Sequence, residues 1–260
     1  MLAVIAALEQ ELAPLRKRLG ARNAGSETGL RLCQAELPGT PLLLAQTGMG
    51  PTRSREVAAT LVERYHPKAI LSIGLAGALR EDLRAGDLVI ASLVHDVREE
   101  REGEPLAISD GLACDPRLVE LAVAAARQRG LDFHVGSSLS VRQMVDNPQM
   151  KRRLGCDLPV AIVEMESYWV GCVASQHGIP FLAMRAISDE AGERLPEFQG
   201  VVDAEGVVRA LPALSLLLRR PLYARTFLRL ARNARRAAQN LATLVEAFAR
   251  SFPPEHWSEP

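Results

Sequence analysis

At 260 residues the chain is long enough for one large α/β domain or two small ones, and it can bury a sizeable core. Its 31 basic and 31 acidic residues leave a formal charge of zero, which argues against a nucleic-acid binder. The four cysteines, Cys33, Cys114, Cys156 and Cys172, have no CxxC spacing; they suit reduced cytosolic thiols rather than a disulfide framework or a zinc site.

The apolar start, Leu2 to Leu8, lacks a basic leader and runs straight into Glu9 and Glu11, so it reads as a first strand rather than a signal peptide. No run reaches the roughly 18 apolar residues of a membrane span. In chain order, Leu2 to Ala7 is a strand, Glu9 to Leu19 a helix, Pro41 to Gln46 a strand, and Thr52 to Tyr65 a helix after a glycine turn. Ala69 to Gly74 and Asp87 to Leu93 are strands, Pro116 to Arg129 is a helix, and Val160 to Glu164 is a strand leading into a helix from Ser167 to His177. Pro180 to Met184, short and apolar after Gly178, is a further strand. Alternation at these lengths predicts βαβ units and a single α/β domain, with a central twisted mixed sheet flanked by helices. No repeat or low-complexity linker divides the chain.

The last part differs. Residues 219–250 hold eight arginines and one acid, Glu246, a local charge of +7 that leaves −7 elsewhere. Tyr223, Phe227, Leu230, Ala234, Ala237, Leu241, Leu244 and Phe248 fall on one helical face, with Arg225, Arg229, Arg232 and Arg236 opposite. Residues 1–222 therefore read as the catalytic part and 223–252 as a closing basic helix of the same domain. Two readings of the arginine face stay open: a solvated surface on a helix packed against the core, or a face that meets anionic lipid headgroups.

Val163-Glu164-Met165-Glu166 sets two carboxylates inside the apolar run Val160 to Val173. Burying an ionised carboxylate costs several kcal/mol, order of magnitude, unless something pairs with it, and a function is the readier explanation. Arg185-Ala186-Ile187-Ser188-Asp189 ends the strand that starts at Pro180, where open α/β sheets place ligand chemistry. Glu9 and Glu11 are separated by about 200° around a helix, so at most one points into a site, and Glu11 is the choice.

With these segments the chain resembles the nucleoside phosphorylase superfamily, and within it the 5'-methylthioadenosine/S-adenosylhomocysteine nucleosidase branch. The likeness covers about residues 1 to 190. It is carried by Ala6 to Leu12, by Thr47-Gly48-Met49-Gly50, by Ser72 to Gly77 with Ala85-Gly86-Asp87, and by the VEME and RAISD segments, in the family's order. The resemblance implies cleavage of the N-glycosidic bond of an adenine nucleoside by a cytoplasmic homodimer that uses no metal or organic cofactor. Asp189 would be the general acid at N7 of adenine, needing an apolar or like-charged site to stay protonated. Glu11 would activate the nucleophile, Arg185 would orient a carboxylate or the nucleophile, and Glu166 would take the ribose hydroxyls. Met165 would lie under the sugar and Met144, beside Val145, where the family has an aromatic on the base. Leu8, Gly48, Gly50, Leu75, Ala76, Gly77 and Ser188 complete the implied substrate contacts.

Each residue has a structural alternative. Asp189 could cap a helix, Glu11 could serve the macrodipole of its own helix, Arg185 could form a structural ion pair with Glu164 or Glu166, and Gly48 to Gly50 could be a tight turn. Two departures bear on mechanism. Leu75 stands where the nucleosidase branch usually has a serine in its GSAG turn, so water and phosphate both stay open as nucleophile, with Arg53 as the candidate phosphate cation. Residues 192–222 are also longer than that branch needs. Leu211 to Pro221 with Phe227 to Arg232 looks like a subgroup called hopanoid-associated phosphorylases, which implies adenosylhopane, an adenosine with a polycyclic lipid at its 5' end, as substrate. A non-catalytic nucleoside-binding module on the same fold, and a membrane-surface adaptor working through the basic helix, remain as readings from other classes.

Overall fold

A computed structural model describes residues 1–25, 30–97, 107–195 and 223–253. The strands are β1 (Leu2–Ala6), β2 (Arg22–Asn23), β3 (Arg31–Leu37), β4 (Thr40–Gln46), β5 (Ala69–Ala78), β6 (Leu88–Asp96), β7 (Leu112–Ala113), β8 (Phe133–Ser140), β9 (Ile162–Glu164) and β10 (Phe181–Asp189). The helices are α1 (Glu9–Leu19), α2 (Pro51–Tyr65), α3 (Pro116–Gln128), α4 (Pro148–Asp157), α5 (Ser167–Gln176) and α6 (Tyr223–Ser251). This is a single α/β domain with a mixed sheet flanked by helices, as the alternation predicts.

Local chemistry accounts for the boundaries. Pro51, Pro116 and Pro148 each open a helix, where the missing N–H is no loss. Asp115 accepts from the backbone of Arg117 and Leu118, and Asn147 from that of Gln149, which satisfies N–H groups that the helix leaves orphaned. β1 is buried along its whole length and lies parallel to β4 on one side and β5 on the other, so Leu2 to Ala6 reads as a continuous apolar run.

The sheet does more than twist. β5 pairs with β10 and β9, β10 with β6, β6 with β8, and β8 with β9, so these five strands close on themselves. β1, β4, β3 and β2 extend outward from β5. Three strands run on past the expected ends: β5 to Ala78, β6 to Asp96 and β10 to Asp189. The Gly74-Leu75-Ala76-Gly77 segment is thus strand, not turn, and it lies in register with Arg185 to Asp189 of β10. A bulge between Ile187 and Asp189 sets Asp189 opposite Gly77, which re-aims its side chain at the strand end.

Helix α6 closes the core. Ala237, Leu241, Leu244 and Phe248 are buried, Phe227, Leu230 and Ala234 are half-buried, and Arg229, Arg232 and Arg236 are exposed. The apolar face packs on α1, α3 and β10. Asn240 donates to the Gly86 carbonyl at 2.8 Å, and Thr40 to that of Phe252 at 3.1 Å. The side chains of Tyr223 and Arg225, and residues 196–222 with their leucine-rich stretch, lie outside the described residues. Among the described residues no helix is long and apolar enough to cross a membrane.

Phe248 is wholly buried, so Phe248→Ala is expected to lower unfolding free energy by about 3–5 kcal/mol in urea titration. A loss under about 1 kcal/mol would mean that α6 is not part of the core.

Candidate active site

The strand ends carry a buried polar network centred on Arg185. Its Nη2 donates to Glu164 Oε2 at 2.7 Å, to Ser167 Oγ at 2.8 Å and to Ser72 Oγ at 3.0 Å, and its Nε donates to Glu164 at 3.2 Å. Glu164 accepts further from Ser140 Oγ and from the backbone N–H groups of Glu166 (3.0 Å) and Ser167 (2.8 Å), so it also starts α5. Burial works against the Glu164 charge, but Arg185 and these donors hold its carboxyl below the usual range. The structural pairing proposed for Arg185 is therefore present, and Glu164 is its partner.

One guanidinium nitrogen stays open. Arg185 Nη1 is buried with no hydrogen-bond partner among the described residues. A Cβ on Gly74 would meet it at 3.0 Å and Glu11 Oε1 at 2.9 Å, so only a glycine lets these two side chains approach the strand together. Glu11 Oε1 accepts from Leu75 N at 2.8 Å, while its Oε2 accepts from Leu8 N at 2.8 Å. The helix-terminus alternative for Glu11 is thus realised alongside its inward reach. Burial, the largest influence, pushes the Glu11 carboxyl up despite Leu75 N–H and Arg185. Glu9, as helix geometry requires, points away and pairs with Arg16 at 2.5 Å near the surface.

Glu166 sits one turn of chain from Glu164. Its Oε1 accepts from Gly50 N at 3.0 Å, so the Gly48-Met49-Gly50 turn offers its N–H to the protein's own carboxylate. Gly48 has φ of 81° and Gly50 of 95°, the left-handed side that glycine adopts without strain. Burial first, then the Glu164 charge, pushes the Glu166 carboxyl up to about 8.

Asp189 lies three residues further along the same wall. A Cβ on Gly77 would meet Asp189 Oδ2 at 2.9 Å. Asp189 Oδ1 accepts from Ser188 Oγ at 2.6 Å, and Oδ2 accepts from the ammonium of Lys151. The surroundings are not the apolar or like-charged ones expected for this acid: a cation faces it. The helix-cap alternative does not hold, since a turn and not a helix follows Asp189.

Other expected residues are more loosely set. Leu8, Leu75, Met165, Val145 and Ser188 are half-buried, and Ala76 and Gly77 are buried in β5. Met144 is 46% exposed and not packed as core. Arg53 is exposed on the first turn of α2. No group of three or more His, Cys, Asp and Glu residues that could hold a metal occurs among the described residues.

Lys151 escaped the sequence reading because Lys151-Arg152-Arg153 looks like a solvated charge run. The signal was there: Asn147-Pro148 marks a helix start, and Lys151 then shares the inward face with Leu154, three residues on. Ser140 and Ser167, which with Ser72 surround the ion pair, carried no sequence signal of their own.

The buried acids around one arginine, at the ends of strands in a mixed α/β sheet, define an enzyme-type site. The chain belongs to the phosphorylase superfamily, which it matches over residues 1–219. It is similar to the 5'-methylthioadenosine/S-adenosylhomocysteine nucleosidase of Geobacillus thermodenitrificans, 33% identical over 199 residues that cover 74% of this chain and 84% of that one. The enzyme of the same name from Aeromonas salmonicida is 28% identical, covering 78% and 92%. Among solved structures, futalosine hydrolase of Helicobacter pylori superposes with a TM-score of 0.76 at 19% identity, covering 96% of this chain and 97% of its own. The Neisseria meningitidis 5'-methylthioadenosine/S-adenosylhomocysteine nucleosidase in complex with methylthio-immucillin-A does so with 0.74 at 23%, covering 96% and 99%.

The raised carboxyl of Glu166 has a stability consequence. The folded state holds its proton more tightly than the unfolded chain, so its stabilising contribution is fully present below the unfolded value of about 4.3. That contribution is lost as pH rises through about 8. Glu166→Gln is expected to flatten the fall of Tm between pH ~5 and ~8 relative to the parent protein, measured by differential scanning calorimetry. An unchanged slope would contradict the raised value.

Proposed function

We propose that this enzyme hydrolyses the N-glycosidic bond of a 5'-substituted adenosine and releases adenine. The observation that supports this most is the gathering of Glu11 and Asp189 along Gly74 to Gly77, with Glu166 and Arg185 beside Glu11. Three residues of strand span about 10 Å, room for a nucleoside between Glu11 and Asp189. The reaction passes through an oxocarbenium-like ribose, so it needs a proton at the leaving base, negative charge near the sugar, and a nucleophile.

In this reading Asp189 gives the proton to N7 of adenine. Glu166, braced by Gly50 N–H, takes the ribose hydroxyls, with Met165 and Leu8 against the sugar. Glu11 accepts a proton from the attacking water, and the open Nη1 of Arg185 beside it orients that water. Glu164 has no substrate role; it holds Arg185. Water suits this pocket better than phosphate. Glu11, Glu164 and Glu166 all stand near the Arg185 guanidinium, most of which Glu164 uses, so little cation is left there for an incoming dianion. The curated relatives are nucleosidases for methylthioadenosine and S-adenosylhomocysteine, which makes these the first substrates to try.

A second reading keeps the chemistry and changes the 5' group to a bulky apolar one, as in adenosylhopane. It is favoured by Leu228, 64% exposed beside the exposed Arg229, Arg232 and Arg235 on α6, a face suited to an anionic membrane surface. The homodimer and a cytoplasmic location with peripheral membrane contact belong to the same set of proposals.

Purified protein with methylthioadenosine is expected to release adenine without phosphate, followed by chromatography, and Asp189→Asn to slow turnover about 10²–10⁴-fold while ligand affinity stays within a few-fold. Release only with phosphate would overturn hydrolysis. No release from any adenosine would leave the binding-module reading. Turnover confined to a substrate with a bulky apolar 5' group would favour the second reading.

A further inference from the structure

Lys151 is wholly buried, and its ammonium spends two of its bonds at the end of β10: one on Asp189 Oδ2, one on the Glu190 carbonyl at 3.1 Å. A lysine head group out of water is expensive unless it is paired, and an ordinary anchor between α4 and β10 could be apolar at no loss. The pairing is tight on every side. Gly77 faces Asp189 with no room for a Cβ, Lys151 Cε lies 3.6 Å from the same point, and Ser188 holds the other carboxylate oxygen. The acid that the proposed reaction requires is thus not isolated but one half of a couple that carries a transferable proton.

We propose that Lys151 is the positioning residue and proton store for Asp189. This rests on the hydrolytic reading above. As the C1'–N9 bond breaks, its electron pair goes into the purine, and a proton moves from the Lys151 ammonium through the Asp189 carboxylate to N7, which leaves Lys151 an amine and Asp189 a carboxylate. Adenine leaves neutral, with hydrogen on N7. The attacking water bonds to C1' and gives its proton to Glu11. Lys151, left as an amine, regains a proton from solvent after release.

The couple makes a distinction that a structural ion pair does not. Leaving groups that need a proton depend on Lys151; leaving groups that depart as stable anions do not. The test compares methylthioadenosine with the 4-nitrophenyl glycoside of 5-methylthioribose, in the parent protein, Lys151→Met and Lys151→Arg. For Lys151→Met, kcat on methylthioadenosine should fall at least about 100-fold with KM within about threefold, while nitrophenol release stays within about threefold. Lys151→Arg, which keeps a cation that does not give up its proton, should leave adenine release within about threefold of the Lys151→Met level. Equal losses on both substrates, or no loss on either, would overturn the proposal. If Lys151→Met does not fold, as judged by its Tm, the ratio of the two rates in Lys151→Arg decides: an unchanged ratio overturns it. A parent protein that releases no adenine would instead defeat the hydrolytic reading itself.

Discussion

The ion pair of Arg185 with Glu164 is the contact on which the site depends. Both side chains are essentially removed from water, and each is held by more than the other: Ser72 and Ser167 on the arginine, Ser140 and two backbone N–H groups on the glutamate. A pair this deep stabilises only when its remaining lone pairs and protons are satisfied, and removal of one partner typically costs about 3–5 kcal/mol because the other is left charged and alone. The pair joins β5, β8, β9, β10 and the start of α5 at one point. The closure of the five strands brings the ends of β8 and β9 beside the middles of β5 and β10 there.

From that point the charge distribution follows. Glu164 uses up most of Arg185, which leaves one guanidinium nitrogen for whatever occupies the pocket. Burial pushes the Glu11 and Glu166 carboxyls up, Glu166 with the added repulsion of Glu164. Asp189, at the far end of the Gly74 to Gly77 wall, has its own cation. A pocket that is acidic at one end and balanced at the other suits a neutral nucleoside whose ribose becomes positive in the transition state.

Much of this was legible in the sequence. Two glutamates in an apolar run announced a buried site, the angular separation of Glu9 and Glu11 selected the inward one, and the eight-residue apolar stripe announced the packing of α6. What stayed hidden depends on tertiary pairing. Gly74 and Gly77 read as a glycine-rich turn, because nothing local says that their missing Cβ atoms make room for Glu11 and Asp189. β3 and β8 carry weak alternation, and their strand character comes from pairing with β4 and β6. Lys151 sits in a basic run whose inward member only the helix register reveals. The closure of the sheet is likewise invisible to strand counting, since it rests on antiparallel contacts of β10 with β6 and of β5 with β9.

The central claim is that water, activated at Glu11, attacks C1' of the nucleoside. Turnover of methylthioadenosine in water labelled with heavy oxygen, in buffer that also contains unlabelled phosphate, tests it most directly. The account predicts that the freed methylthioribose carries the label on its anomeric oxygen and that no sugar phosphate forms. A phosphorylated sugar, or an unlabelled one, would contradict it.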